Sequence, residues 1–217
     1  MNLKEQLDHL DRVLLTTVST AFPDPLTDEE KAVTNAYLVL AHAVLEETLE
    51  AAFERHFRRL VSWCSSEMVP FESARLLFAM REWLPEPYLS AFKKRDLVGI
   101  VKAAEKQYLS LIRANHGIKP HNIESLAQLV GLDWVRFEAA LNIQMEDLRT
   151  LGTKRGDAGH LSPYTERAVT LSRRDYPDNV REWVHAGRDA VIAIVNHLKL
   201  IVDEQQPLSL IADWDGN

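Results

Sequence analysis

From Thr27 to about Trp63 the chain carries one long helical period. Val33, Tyr37, Leu40, Val44, Leu45, Ala52, Phe53 and Leu60 fall on one broad face, with no glycine or proline between them. Thr27 followed by Glu30 makes a capping box, and Asp28 and Glu29 sit where a helix N-terminus favours negative charge. An element of this period cannot join a strand ladder, so it commits the chain to packing helix on helix. Composition agrees: eight glycines in 217 residues, 46% hydrophobic residues in Leu/Ala/Glu-rich stretches, and no alternating β pattern. The expected fold is all-α.

Shorter elements follow from local signals. Leu3, Leu7, Leu10, Leu14 and Val18 predict a helix over 2–20, which "FPDPL" ends. Helices are predicted around 71–83 and 88–113, and "NHGIKP" (115–120) supplies a glycine stop and a proline start. A helix over 122–130 stops at Gly131, and another starts with Asp133 as cap and runs to about Leu151. Ser162-Pro163 reads as a further helix start. Pro177-Asp178 opens a last helix with Trp183, Val184, Val191, Ile194, Val195, Leu198 and Ile201. With no repeat or long linker, the chain reads as a single domain over 1–217. Its core covers about 27–203, after an N-terminal helix (1–20) and before a C-terminal tail (204–217).

No apolar run is long enough to span a bilayer, and "MNLKEQLDHL" lacks a signal-peptide core, so no membrane association is expected. One cysteine makes no internal disulfide, which fits a cytoplasmic location, and Cys64 reads as a buried, inert thiol. There is no HExxH, no phosphate-cradling glycine loop and no serine elbow, so neither metal nor cofactor is expected. His42, His56, His185 and His197 lie singly within predicted helices and read as ordinary surface or hydrogen-bonded core histidines. "SLAQLVGLDWVRFEAAL" (125–141) imitates a helix-turn-helix. Glu138, Glu146 and Asp147 beside Arg136 would repel a duplex, so it reads as a tight helix corner.

The net charge of −7 argues against indiscriminate nucleic-acid binding, but its distribution is uneven. Residues 149–174 hold Arg149, Lys154, Arg155, Arg167, Arg173 and Arg174 against Asp157 and Glu166, a window of +4. On charge alone this island is a solvated surface or an RNA-binding one. Within it stands "TKRGDAGHLSPY" (153–164). Arg155 and His160 are five apart, about 500° on an unbroken helix, and would not share a face. Gly156 and Gly159 are expected to end the helix and turn His160 back toward Arg155. A forked guanidinium holds a phosphate and a histidine moves a proton near neutral pH, which suffices for metal-free RNA cleavage. The competing reading is a helix stop with a charged rim, because Arg-x4-His is a common spacing.

The Arg-x4-His closing "MEDLRTLGTKRGDAGH" resembles the HEPN superfamily. The closer resemblance is to its RiboL-PSP-HEPN group, carried by three blocks in order: "LVLAHAVLEETLEAAFERHF" (38–57), "NHGIKPHNIESLAQLVGLD" (115–133) and "LRTLGTKRGDAGH" (148–160). The resemblance implies a HEPN-like helical bundle with extra helices. It implies a metal-independent endoribonuclease that leaves 2′,3′-cyclic phosphate and 5′-OH ends. It also implies a homodimer joining two Arg/His pairs in one cleft, with a role as a toxin, in phage defence or in RNA processing, and an antitoxin or defence-system partner. Arg155 and His160 match the motif. Gly156 stands where the family usually has a polar residue, so Asp157 is the substitute candidate. RNA contacts are assigned to Lys154, Arg149, Arg173 and Arg174, and cleft support to Glu46 and Tyr164; a solvated Glu46 and a core Tyr164 are the alternatives. Two other functions stay open: a catalytically silent HEPN module that dimerises or docks a partner, and a nucleotide sensor using the same basic cleft.

Overall fold

A computed structural model describes residues 2–64, 71–94, 97–160 and 176–203. Their regular structure is helical throughout, with no strand among the described residues. The α-helices are α1 (Leu3–Leu14), α2 (Asp28–Cys64), α3 (Phe71–Trp83), α4 (Glu86–Lys93), α5 (Leu97–Arg113), α6 (Pro120–Leu129), α7 (Trp134–Ala140), α8 (Asn142–His160) and α9 (Pro177–Asp203). Among the described residues no helix is long and apolar enough to cross a membrane.

The predicted caps form as hydrogen bonds. Thr27 and Glu30 close the box on α2, with Glu30 N–H donating to Thr27 Oγ1 (3.2 Å) and Thr27 N–H to Glu30 Oε2 (2.9 Å). The same Glu30 accepts from the Ser19 and Thr20 amides (3.2 and 3.1 Å), and the Thr27 amide first, then the Thr20 and Ser19 donors, hold its carboxyl down to about 2. The corner after α6 is a Schellman turn. Gly131 has φ +75°, its N–H donates to Gln128 O (3.0 Å), and Leu132 N–H donates to Ala127 O (3.0 Å). Asp133 then caps α7 by accepting from Arg136 N–H at 3.2 Å.

Several boundaries differ from the sequence expectation. The first helix ends at Leu14 and passes into a 3₁₀ turn at Leu15–Thr17, well short of residue 20. The segment expected as one helix over 88–113 is two, α4 and α5. The helix expected from Asp133 to Leu151 is interrupted at Leu141, and its second part, α8, continues to His160. The face of α2 is also rotated. Tyr37, Leu45, Ala52, Phe53 and Leu60 are buried as expected, but Leu40 is 46% exposed, and Leu38, Ala41, Leu49 and Phe57 complete the stripe. Cys64 and the helix start at Ser162-Pro163 lie outside the described side chains and residues.

The chain forms two compact units interleaved in sequence. The first comprises Met1–Leu49, Gly117–Pro120 and Leu141–Ile194. Its core draws Tyr37, Leu38, Ala41 and Leu45 from α2, Ile118 from the connection, Met145, Leu148 and Leu151 from α8, and Val184, Val191 and Ile194 from α9. Gly187 permits close approach here, because a Cβ on it would lie 2.4 Å from Leu151 Cδ2 and 3.3 Å from Leu45 Cδ1. The second unit comprises Glu50–His116, His121–Ala140 and Val195–Asn217. Phe57 and Tyr108 stack at its centre, 4.0 Å between centroids and 17° between planes, and Tyr108 donates to Phe53 O at 3.4 Å.

Candidate functional site

Two polar side chains four residues apart on α2 start the site, since positions i and i+4 share a helix face. His42 is buried and Glu46 is half-buried, with His42 Nδ1 3.7 Å from Glu46 Oε2. Glu46 also accepts from the backbone N–H of Gly117, which anchors the connection into α6 on α2. Gly117 has φ 133°, a conformation open to glycine and closed to most other residues, so "NHGIKP" is shaped to make this contact.

The anchored connection delivers Lys119. Its stem crosses α8 at Gly152, where a Cβ would meet Lys119 Cγ at 2.7 Å. One turn further along α8, Arg155 is exposed. Both cations act on His42. Burial, then Arg155, then Lys119 depress its imidazole from 6.5 to about 4, so it is neutral at pH 7. The first unit therefore holds a buried neutral histidine, a carboxylate beside it and two cations within electrostatic reach of it.

α8 does not break where the sequence predicted. It is helical through Gly152, Gly156 and Gly159 to His160, held by the buried row Leu141, Met145, Leu148 and Leu151 and by Thr153 Oγ1 donating to Arg149 O (2.8 Å). The cost of a few helical glycines, about 1 kcal/mol each, is outweighed by the buried apolar row, at about 1.5–3 kcal/mol per large side chain. On this continuous helix the backbone positions of Arg155 and His160 are about 140° apart, so no glycine break folds one back to the other. Asp157 is exposed and about 200° from Arg155 by the same geometry, not on its face as the substitute role required.

The remaining candidates separate. Arg149 is exposed and pairs with Glu146 at 3.5 Å. Lys154 is half-buried with its ammonium 4.9 Å from the Trp183 ring centroid, a cation–π contact between α8 and α9. Tyr164, Arg167, Arg173 and Arg174 lie outside the described residues, as does the side chain of His160. Among the described residues no group of three or more His, Cys, Asp or Glu could hold a metal ion. Sequence reasoning named Arg155 and Glu46 but missed His42 and Lys119. The available signal was the His42/Glu46 spacing on the long helix; Lys119 carried none, since only folding brings it across Gly152. No family model, no curated protein and no solved structure matches the chain.

Proposed function

We propose that the first unit cleaves RNA without a metal, as a HEPN-like endoribonuclease whose working groups are Arg155, Lys119 and His42. The observation that carries this reading is a buried His42 beside Glu46, with Lys119 laid across α8 at Gly152 one turn from Arg155; burial first, and these two cations after it, keep the imidazole neutral. A phosphodiester between Arg155 and Lys119 neutralises both and lifts their share of the depression, which raises the basicity of His42 as the substrate arrives. His42 then takes the ribose 2′-OH proton, and the 2′-oxygen attacks the adjacent phosphorus. The two cations stabilise the dianionic phosphorane, and the P–O5′ bond breaks. The products are a 2′,3′-cyclic phosphate and a 5′-OH. Glu46, with its carboxylate 3.7 Å from Nδ1, favours the imidazolium that forms on His42. The imidazolium formed on His42 returns its proton to the leaving 5′-oxygen, and a homodimer brings two such sites together. A toxin or phage-defence setting, with a neutralising partner, suits such an activity.

A second reading has its own support. Arg155 and His160 stand about 140° apart on an unbroken helix, as they would in a silent module that dimerises or docks a partner.

Single-turnover cleavage of end-labelled RNA separates the two. The nuclease reading expects cyclic-phosphate ends, indifference to EDTA, and losses of about 10²–10⁴ for both His42→Ala and Arg155→Ala. If His160→Ala abolishes turnover while His42→Ala leaves it intact, the proton-transfer role belongs to His160. Intact RNA after prolonged incubation with the folded parent protein makes the silent module correct.

A further inference from the structure

A concave site lies in the second unit, between the ends of α3 and α5 and the side of α6. Its volume is about 580 Å³, within the range of small-molecule sites. Trp83 forms one wall, with Leu111 and Leu129 as apolar lining. The indole is fixed, because Nε1–H donates to Leu129 O at 3.0 Å and Tyr108 packs against it with 6.0 Å between ring centroids. A rigid aromatic wall beside aliphatic side chains accepts a planar ring.

The polar lining determines what that ring must carry. Gln128 Nε2 donates to Glu124 Oε1 at 3.1 Å, and Asn122 Nδ2 donates to His116 O at 3.4 Å. A carboxylate and a carbonyl can only accept, so both amide orientations are forced; each amide presents its oxygen and keeps only one N–H in reserve. Ser125 is in the same position, since its hydroxyl donates to His121 O at 2.9 Å. The Trp83 N–H is spent on Leu129. Glu82 adds a carboxylate, and the lining contains no Lys or Arg. Asn115 and His116 complete the polar lining, so acceptors outnumber free donors, and the Glu82 carboxylate disfavours an anion.

We propose that this pocket binds an amino-substituted nucleobase, stacked on Trp83 with its N–H donors on Gln128 and Asn122. The inference does not rest on the ribonuclease reading, which concerns the first unit. Adenine, guanine and cytosine fit, because each has an exocyclic amine; uracil lacks one. A free nucleoside and a base on an RNA strand share this chemistry.

The test is calorimetric titration of the full chain with adenosine, cytidine, uridine and adenosine 5′-monophosphate. Adenosine and cytidine are expected to bind with Kd of about 10–500 μM, with uridine about tenfold weaker or more. The monophosphate is expected to bind about threefold or more below adenosine, with Glu82→Gln narrowing that gap. Gln128→Leu, an exposed site that leaves the core untouched, is expected to weaken adenosine about tenfold. Trp83→Leu, checked for folding by circular dichroism, is expected to abolish binding. A single-stranded oligonucleotide that displaces adenosine assigns the base to RNA, and one that does not assigns a free nucleoside; each upholds the pocket. It is overturned if adenosine and cytidine both fail to bind at about 5 mM, or if neither Gln128→Leu nor Trp83→Leu changes their affinity.

Discussion

Alanine at Gly156 is a direct test of the architecture around Arg155. In a continuous α8 a Cβ at this position meets nothing within 4 Å, so the substitution adds no clash. What remains is backbone entropy and helix propensity, which favour alanine over glycine by about 1 kcal/mol in a helix interior. For a chain of this size the expected rise in Tm is about 2–4 °C. The same substitution at Gly131 supplies the opposite sign. There φ is +75°, and a Cβ would lie 2.7 Å from both C and O of Arg75, main-chain atoms that cannot rotate aside. Left-handed strain of about 1–2 kcal/mol and overpacking of about 1–3 kcal/mol combine to a loss of about 2–5 kcal/mol. Urea unfolding followed by far-UV circular dichroism measures both variants against the parent. If Gly156→Ala destabilises by more than about 0.5 kcal/mol while Gly131→Ala behaves as expected, the helix is broken at Gly156. The continuous geometry, with its 140° separation of Arg155 and His160, is then wrong.

Three further outcomes follow from the described side chains. His56 is buried, and burial, opposed in part by the Leu198 backbone and reinforced by Arg59, lowers its imidazole from 6.5 to about 4. The unfolded chain therefore takes up the proton first; stability held above about pH 6.5 drains as pH falls toward 4, by about 2–3 kcal/mol, and His56→Leu should flatten that slope in urea melts across pH. Glu46→Ala removes the carboxylate that accepts from the Gly117 N–H and should cost about 1 kcal/mol, with faster hydrogen exchange at Gly117 as the local readout. Lys154→Met removes the cation over Trp183 and should cost about 0.5–1 kcal/mol, with unchanged stability refuting a structural role for that contact.

The features readable from sequence were those whose physics is local. The Thr27/Glu30 box, the Gly131 turn and the Asp133 cap depend on residues a few positions apart, and each forms the expected hydrogen bonds. The persistence of α8 through Gly156 was not readable, because it depends on how well Leu148 and Leu151 are buried. The exposure of Leu40 has the same origin: period alone allowed it on the stripe, while packing selected Leu38 and Ala41. His42 looked like an ordinary helical histidine, since its burial and its two cationic neighbours come from segments 77 and 113 positions further along the sequence. Arg155 and Glu46 were nameable from their motif and helix position; their company was not.

The interleaving of the two units also orders events during synthesis. The ribosome makes α1 and the first half of α2 earliest, but their unit closes only with Leu141–Ile194. At about 5–20 residues per second, those early segments wait on the order of ten seconds while Glu50–Ala140 emerges. Throughout that interval Tyr37, Leu38, Ala41 and Leu45, all buried in the finished protein, have no α8 or α9 to cover them. The second unit has most of its helices by Ala140 yet still lacks Leu198, which arrives on the same last helix. One helix, α9, thus completes both units. A truncation that removes it should leave a nascent chain that is a substrate for chaperones, with neither unit spared.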